Sequence, residues 1–281
     1  MRIVKKPICL STDVYDICVN GVGSSDKRLG LNLIKDTVMI DSMRYDMYAN
    51  DKKLFILQPL ISLYSESNKI DIKELYTKQL VPSSKKGREI YDKIMSLAPL
   101  ARCPFCSIGE VSTLDHYLPK SKFPVYSILP YNLVPCCKDC NTGKLANYAK
   151  IKEKQSLHPY YDDFTNEQWL FAEVLKTSPL SIKFSVNVPT DWDDVSKVRI
   201  EAHFIEYNLK HRFAVKASSE LSKLNSEFFL FPLSSQLIKE HLKRKELINK
   251  HLHLNSWESA FYQALAESDW YCREGYKQGI V

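Results

Sequence analysis

No stretch of the sequence is apolar for long enough to cross a bilayer. The richest window, LFILQPLISLY from Leu54 to Tyr64, is short and broken by Gln58 and Pro59, so it is expected to form a buried helix or two short ones. The opening residues, MRIVKKPICLSTD, are basic but lack the apolar core of a secretory signal, so a cytoplasmic setting with no membrane partner is expected. Internal repeats and low-complexity tracts are also missing, which argues against a repeat array or a disordered tail. Glycine is scarce, 8 of 281 residues, and no Gly/Ser-rich linker marks a domain boundary.

What is present is a chain that can bury a sizeable core, with 44% hydrophobic residues. Lys and Arg number 39 against 33 Asp and Glu, and the resulting +6 suits a polyanionic partner as readily as an ordinary surface. Of eight cysteines, four fall into two Cys-x-x-Cys pairs, a pattern that in a reducing compartment favours metal thiolates over disulfides. Cys9, Cys18 and Cys272 stand alone and are expected to be plain thiols.

From about Asp26 to Pro99 apolar residues recur at spacings of three and four, in LGLNLIKDTVMIDSMRYDMY and SKKGREIYDKIMSLAPL, which predicts helices; Ser83 or Ser84 could cap the second and Pro99 stop it. Between Ala101 and Phe164, prolines at 104, 119, 124, 130, 135 and 159 exclude long regular elements. Short strands are expected around Glu110–Asp115 and Leu133–Pro135, then a helix from about Lys138 running through NTGKLANYAKIKEK. Two further strands, WLFAEVLKT and LSIKFSVNV, are expected on either side of a Ser178-Pro179 turn. Helices then follow over Val198–Leu224, Ser234–Leu252 and Ser256–Tyr271, with Asn255 or Ser256 capping the last. The basic face of KEHLKRKELINKHLH reads as a solvated amphipathic surface or as a nucleic-acid contact.

The densest chemistry lies in CPFCSIGEVSTLDHYLPKSKFPVYSILPYNLVPCCKDCNTGK, from Cys103 to Lys144. Cys103 with Cys106, and Cys137 with Cys140, can each aim two thiolates at one tetrahedral Zn²⁺, closing its coordination sphere and making it structural. Cys136 is an alternative ligand with poorer spacing and is expected to pack beside the site. The loop between the pairs is longer than in a zinc ribbon and encloses Leu114-Asp115-His116 and Asn132, with Asn141 directly after the last cysteine.

In that order, DHYLP, YNLVPCCKDCN and TGK, residues 101–145 resemble the HNH (ββα-metal) endonuclease superfamily, in particular its zinc-bearing McrA-like branch. The pattern along the chain, with the core that the resemblance implies, predicts an α+β chain in three parts. These are a helical N-terminal region (1–100), a zinc-bound ββα-metal core (101–164), and a C-terminal region of strands then helices (165–281). The resemblance also implies hydrolysis of DNA phosphodiester bonds, leaving 5′-phosphate and 3′-hydroxyl ends. His116, whose imidazole is neutral near pH 7, suits a general base. By resemblance Asp115 and Asn141 hold a catalytic ion. Two oxygen ligands leave room for waters and phosphate, which suits Mg²⁺ or Mn²⁺. Asn132 would hold the loop and orient the imidazole, and Lys144, one turn beyond Asn141, can pair with a phosphate.

LHPYYDDF, Leu157–Phe164, is more loosely similar to segments of Septu-type (PtuB-like) defence subunits, which implies the effector of an antiviral or restriction system with an ATPase or other partner protein. Within that segment His158 is expected to be a structural turn residue, and Tyr160 and Tyr161 to pack. The spacer PKSKFPVYSILPY departs from the McrA-like pattern by being Pro- and Lys-rich and lacking Gly-Gly, so substrate approach is expected to differ. Two other accounts remain open: the same chemistry on RNA, and a zinc-stabilised adaptor that binds nucleic acid or a partner and cuts nothing.

Overall fold

The structure, a computed structural model, describes residues 1–59, 64–144 and 146–278. Helices dominate, with two separate two-stranded antiparallel ribbons, so the chain is α+β. It divides into two compact units, Arg2–Asp162 and Asp163–Val281 together with Met1. The regions 1–100 and 101–162, read apart in the sequence, therefore fall within one unit.

That first unit opens with α1 (Ser11–Asn20), α2 (Ser25–Leu33) and α3 (Lys35–Asn50). The Ser24 hydroxyl caps α2 by accepting from Lys27 N–H, satisfying one of the orphan donors of a helix start. The periodic stretch that spans α2 and α3 is split at Ile34, whose φ of −101° and ψ of 1° are not helical. Of the apolar window Leu54–Tyr64, residues 54–56 form a single 3₁₀ turn, while 60–63 lie outside the described residues.

α1 lies outside the stretch whose pattern predicts helices and was not expected, whereas α4 (Glu66–Leu75), capped by Ser65 and running on into one π turn, Tyr76–Leu80, falls within it. Next comes α5 (Arg88–Met95), which begins after Gly87 and not at Ser83 or Ser84. A Cβ on residue 87 would lie 2.4 Å from Gln79 O, so only glycine lets the chain pass this close to the π turn where α5 begins.

α5 buries Ile90, Tyr91 and Ile94 and packs on a ribbon of β1 (Thr113–His116) and β2 (Leu133–Cys136). Their register pairs Thr113 with Cys136 and His116 with Leu133, so the second cysteine pair follows directly on the end of β2. The chain then enters α6 (Lys138–Lys144), which packs against β1. α6 does not run on through Lys154 as the sequence predicts. Asn147 N–H donates to Lys144 O, a three-residue bond that closes a helix, and only a 3₁₀ turn at Lys152–Lys154 follows.

In the second unit β3 (Leu170–Leu175) pairs with β4 (Ser181–Val186) about the expected turn. The helical run predicted over Val198–Leu224 is two helices, α7 (Asp194–Glu206) and α8 (Leu209–Leu230), because Asn208 between them takes the left-handed conformation, φ 49°. α9 (Ser235–Leu252), α10 (Trp257–Glu267) and α11 (Asp269–Arg273) complete it. Ser256 caps α10, while Asn255 instead accepts from Trp169 N–H at 2.8 Å and donates to Glu167 O, holding the entry to β3. α9 buries only Ile238 and Leu242 and turns its basic residues outward. No described helix is long and apolar enough to cross a membrane.

Candidate metal centre and the polar site beside it

Four sulfurs meet where the loop after α5 returns to the ribbon. The 103–106 turn is shaped by Ser107 N–H donating to Cys103 O, by Ser107 at φ 63°, and by Gly109 N–H donating to Cys106 Sγ at 3.4 Å. Cys137 follows β2 and Cys140 lies in the first turn of α6, and the Sγ atoms of Cys103, Cys106, Cys137 and Cys140 all lie within 4.8 Å of one another, buried. A tetrahedral zinc thiolate centre, with Zn–S bonds of about 2.3 Å, has S···S edges of roughly 3.8 Å. The Cys106–Cys137 separation is 3.8 Å. The site can therefore hold a structural zinc ion.

Electrostatics agree with a missing cation's role. Hydrogen bonding from Cys106 pulls Cys103 down to about 4, while the same contact holds Cys106 up, and Cys140 is raised chiefly by Cys103. Packed thiols thus share protons, because four adjacent thiolates repel one another unless a dication neutralises them. Cys136 is also near, 4.0 Å from Cys103, but its thiol donates to Cys137 O and is pushed up in pKa by Cys103.

Asp115 and His116 end β1, paired with Val134 and Leu133. The His116 Nε2–H donates to Ser127 O at 2.9 Å, which leaves Nδ1 as the lone-pair nitrogen. The ring is buried, its face against Tyr76 with centroids 4.4 Å apart. Desolvation, followed by the charge of Lys120, holds the imidazole down to about 3, so it is neutral. Asn132, with no exposed surface, accepts from Leu118 N–H at 2.7 Å and donates to Leu118 O and Tyr126 O, each at 3.0 Å. It clamps the two ends of the spacer. The imidazole itself is oriented by Ser127 O and not, as the resemblance implies, by Asn132.

Lys144 also departs from expectation. Its ammonium is 3% exposed and turned inward, 3.4 Å from Asp115 Oδ2, 3.2 Å from His116 O, and bonded to Tyr117 O as well. Three N–H donors are thereby used, and a phosphate contact would require the side chain to leave this nest. Asn141 is half-buried on α6, its N–H donating to Cys137 O, and no side-chain hydrogen bond joins it to Asp115 or His116 among the described residues. The oxygens of Asp115, His116 and Tyr117 close on Lys144 Nζ, so this nest already holds a cation of the protein's own.

Residues the motif does not contain complete the site. Tyr76 stands between His116 and Lys120, whose Nζ is 4.3 Å from the Tyr76 ring centroid, and its hydroxyl donates to Leu114 O. Only long-range packing places it there. His158, 1% exposed, contacts Tyr45 through Nε2 at 3.1 Å and accepts from Tyr160 N–H on Nδ1. Tyr160 donates to Leu133 O, bracing β2, and Tyr161 donates to Asp46 on α3.

The chain is 28% identical over 293 residues to protein ea31 of Escherichia phage lambda, covering 96% of this chain and 98% of that protein. No family model matches, and no solved structure matches significantly.

Proposed function

We propose that the chain is a metal-dependent endonuclease of the HNH type that hydrolyses DNA phosphodiester bonds. One observation carries the reading: a neutral imidazole at the end of a strand, His116, held by Ser127 O with Nδ1 left to accept a proton, beside a buried carboxylate on a ribbon whose other end carries four converging thiols. Zinc would lock β2, α6 and the 103–106 turn together, fixing the strand end that presents the imidazole. Asp115 and Asn141 are the residues that would hold Mg²⁺ or Mn²⁺, which supplies positive charge against the phosphate. His116 Nδ1 takes the proton from the attacking water; Ser127 O favours the imidazolium that forms while burial and Lys120 oppose it, so the step needs the negative charge of the bound phosphate beside the ring. Asn132, through Leu118 and Tyr126, keeps that carbonyl in place.

The inward ammonium of Lys144 favours a second reading, an adaptor that binds and does not cut, because Asp115 already has a cation. Purified protein is incubated with plasmid DNA, and separately with RNA, in Mg²⁺ or Mn²⁺. Nicking by the wild type that His116→Ala abolishes supports the endonuclease. Equal products from both remove it, and no cleavage with unchanged nucleic-acid binding by Asp115→Ala and His116→Ala favours the adaptor. Cleavage of RNA alone would move the same chemistry to that substrate. A defence setting with an ATPase partner gains nothing from the comparison, since the similar protein is that of a phage.

A further inference from the structure

A cavity of about 510 Å³ is lined by Lys120, whose Nζ lies 4.3 Å from the Tyr76 ring centroid. Its wall is made by α4 and by the spacer that departs from the family pattern. Glu66, Lys69, Ile70 and Lys73 recur at the three- and four-residue steps of one helix face, while Lys120, Lys122 and Lys150 come from the loops opposite. The only carboxylate among the lining residues, Glu66, is occupied by Lys69 at 2.7 Å. Lys73, Lys120, Lys122 and Lys150 have no carboxylate partner among the described residues.

Like charges gathered in a concavity repel, and the effect is visible: Lys120 is held below the ordinary lysine range by partial burial and then by Lys73. Several lysines elsewhere in the same unit are answered, Lys27 by Asp71 and Glu74, Lys6 by Asp46 and Lys35 by Asp16; what sets the cavity apart is that four lysines without a carboxylate face one concavity. Tyr148, edge-on to Phe123 at 4.9 Å, adds an aromatic to the same wall, as suits a base beside its phosphate.

We infer that this lysine-lined cavity binds consecutive phosphates of a nucleic-acid strand, delivering the strand past Tyr76 to His116. The inference deepens the endonuclease reading and rests on it for the direction of delivery, but the binding itself is separately measurable. It also accounts for the Lys-rich spacer: the residues that break the McrA-like pattern are the ones that build this wall.

The test measures fluorescence anisotropy of labelled single-stranded DNA, duplex DNA and RNA between 50 and 200 mM NaCl, without added divalent ion, using His116→Ala as the uncut parent. Lys73→Gln, Lys120→Gln and Lys150→Gln are combined in that parent. A control combines Lys210→Gln, Lys216→Gln and Lys223→Gln, three exposed lysines of α8. Each lost phosphate contact flattens the slope of log affinity against log salt by about 0.9 on a duplex and about 0.7 on a single strand. The cavity triple is therefore expected to flatten it by roughly 2 to 3 and to weaken binding on the order of tenfold at 100 mM salt, irrespective of base sequence. The control triple should do neither.

A slope equal to the parent's, or an equal loss in the control, overturns the cavity and leaves the cleavage result untouched. Cleavage by His116→Ala overturns the endonuclease and leaves the slopes untouched. Unchanged zinc content and melting temperature in the triple exclude misfolding as the cause. The arm with the largest slope change identifies the strand type.

Discussion

The four thiols and the Asp115 site hang on the same two strands but are built on different logic. The first collects four soft donors at one point, where they hold only a share of the protons they need. The second brings its polar groups together with counter-groups from the protein itself: Lys144 for Asp115, Ser127 O for His116, and three backbone partners for Asn132. The first can take a cation as its centre, whereas the second already balances its charge from within the chain.

Removing metal is the broadest way to break that contrast. A strong chelator, or Cys137→Ser, should unfold the ribbon and α6, because binding energy at a closed thiolate site is folding energy, on the order of 10 kcal/mol. Omitting Mg²⁺ or Mn²⁺ should leave the melting temperature unchanged. Zinc content by elemental analysis should fall with each of the four ligands and persist in Cys136→Ser; loss of zinc in that variant would make Cys136 a ligand. If chelation leaves the melt untouched, the thiols are a packing cluster and the contrast fails.

Next in size is the buried ion pair. Lys144→Met removes the cation beside the Asp115 carboxylate, 7% exposed, and should cost about 3 to 5 kcal/mol in urea unfolding. Adding Asp115→Asn should recover much of that loss. If Lys144→Met unfolds no more easily than the wild type, the ammonium is not what holds Asp115. Asn132→Ala leaves the Leu118 N–H and Leu118 O without their side-chain partner and takes one of two donors from Tyr126 O, which Leu129 N–H also serves, and should cost about 3 kcal/mol. It should also lower activity more steeply than stability alone explains, through the loss of the Tyr126–Ser127 support for His116.

The same contrast explains what could be read in advance. The thiol cluster was legible because Cys-x-x-Cys spacing dictates local geometry, and the ribbon came with it because Leu133–Cys136 leads straight into the second pair. Asp115 and His116 could be named, but not their partners. Ser127 lies 11 residues from His116 and Lys144 lies 29 from Asp115, distances at which only the packed chain decides who meets whom. Helix ends failed for related reasons: α5 begins only after Gly87, where the chain passes close to the π turn, and Asn208 divides α7 from α8, both set by backbone geometry that apolar periodicity does not encode.

The smallest effect is the one most able to sharpen the boundary between the two sites. Gly143 lies in α6 between Asn141 and Lys144, in the Thr-Gly-Lys step of the motif, and a Cβ there would meet nothing within 4 Å. Since the helix needs no glycine at that point, Gly143→Ala should stabilise the protein by about 0.5 to 1 kcal/mol and leave zinc content unchanged. If stability rises while cleavage and nucleic-acid binding both fall, the exposed face of α6 must lie against the bound strand, because nothing in the protein itself objects to the methyl group. If all three are unchanged apart from the stability gain, α6 serves only to carry Cys140, Asn141 and Lys144, and the strand is held from the lysine side alone.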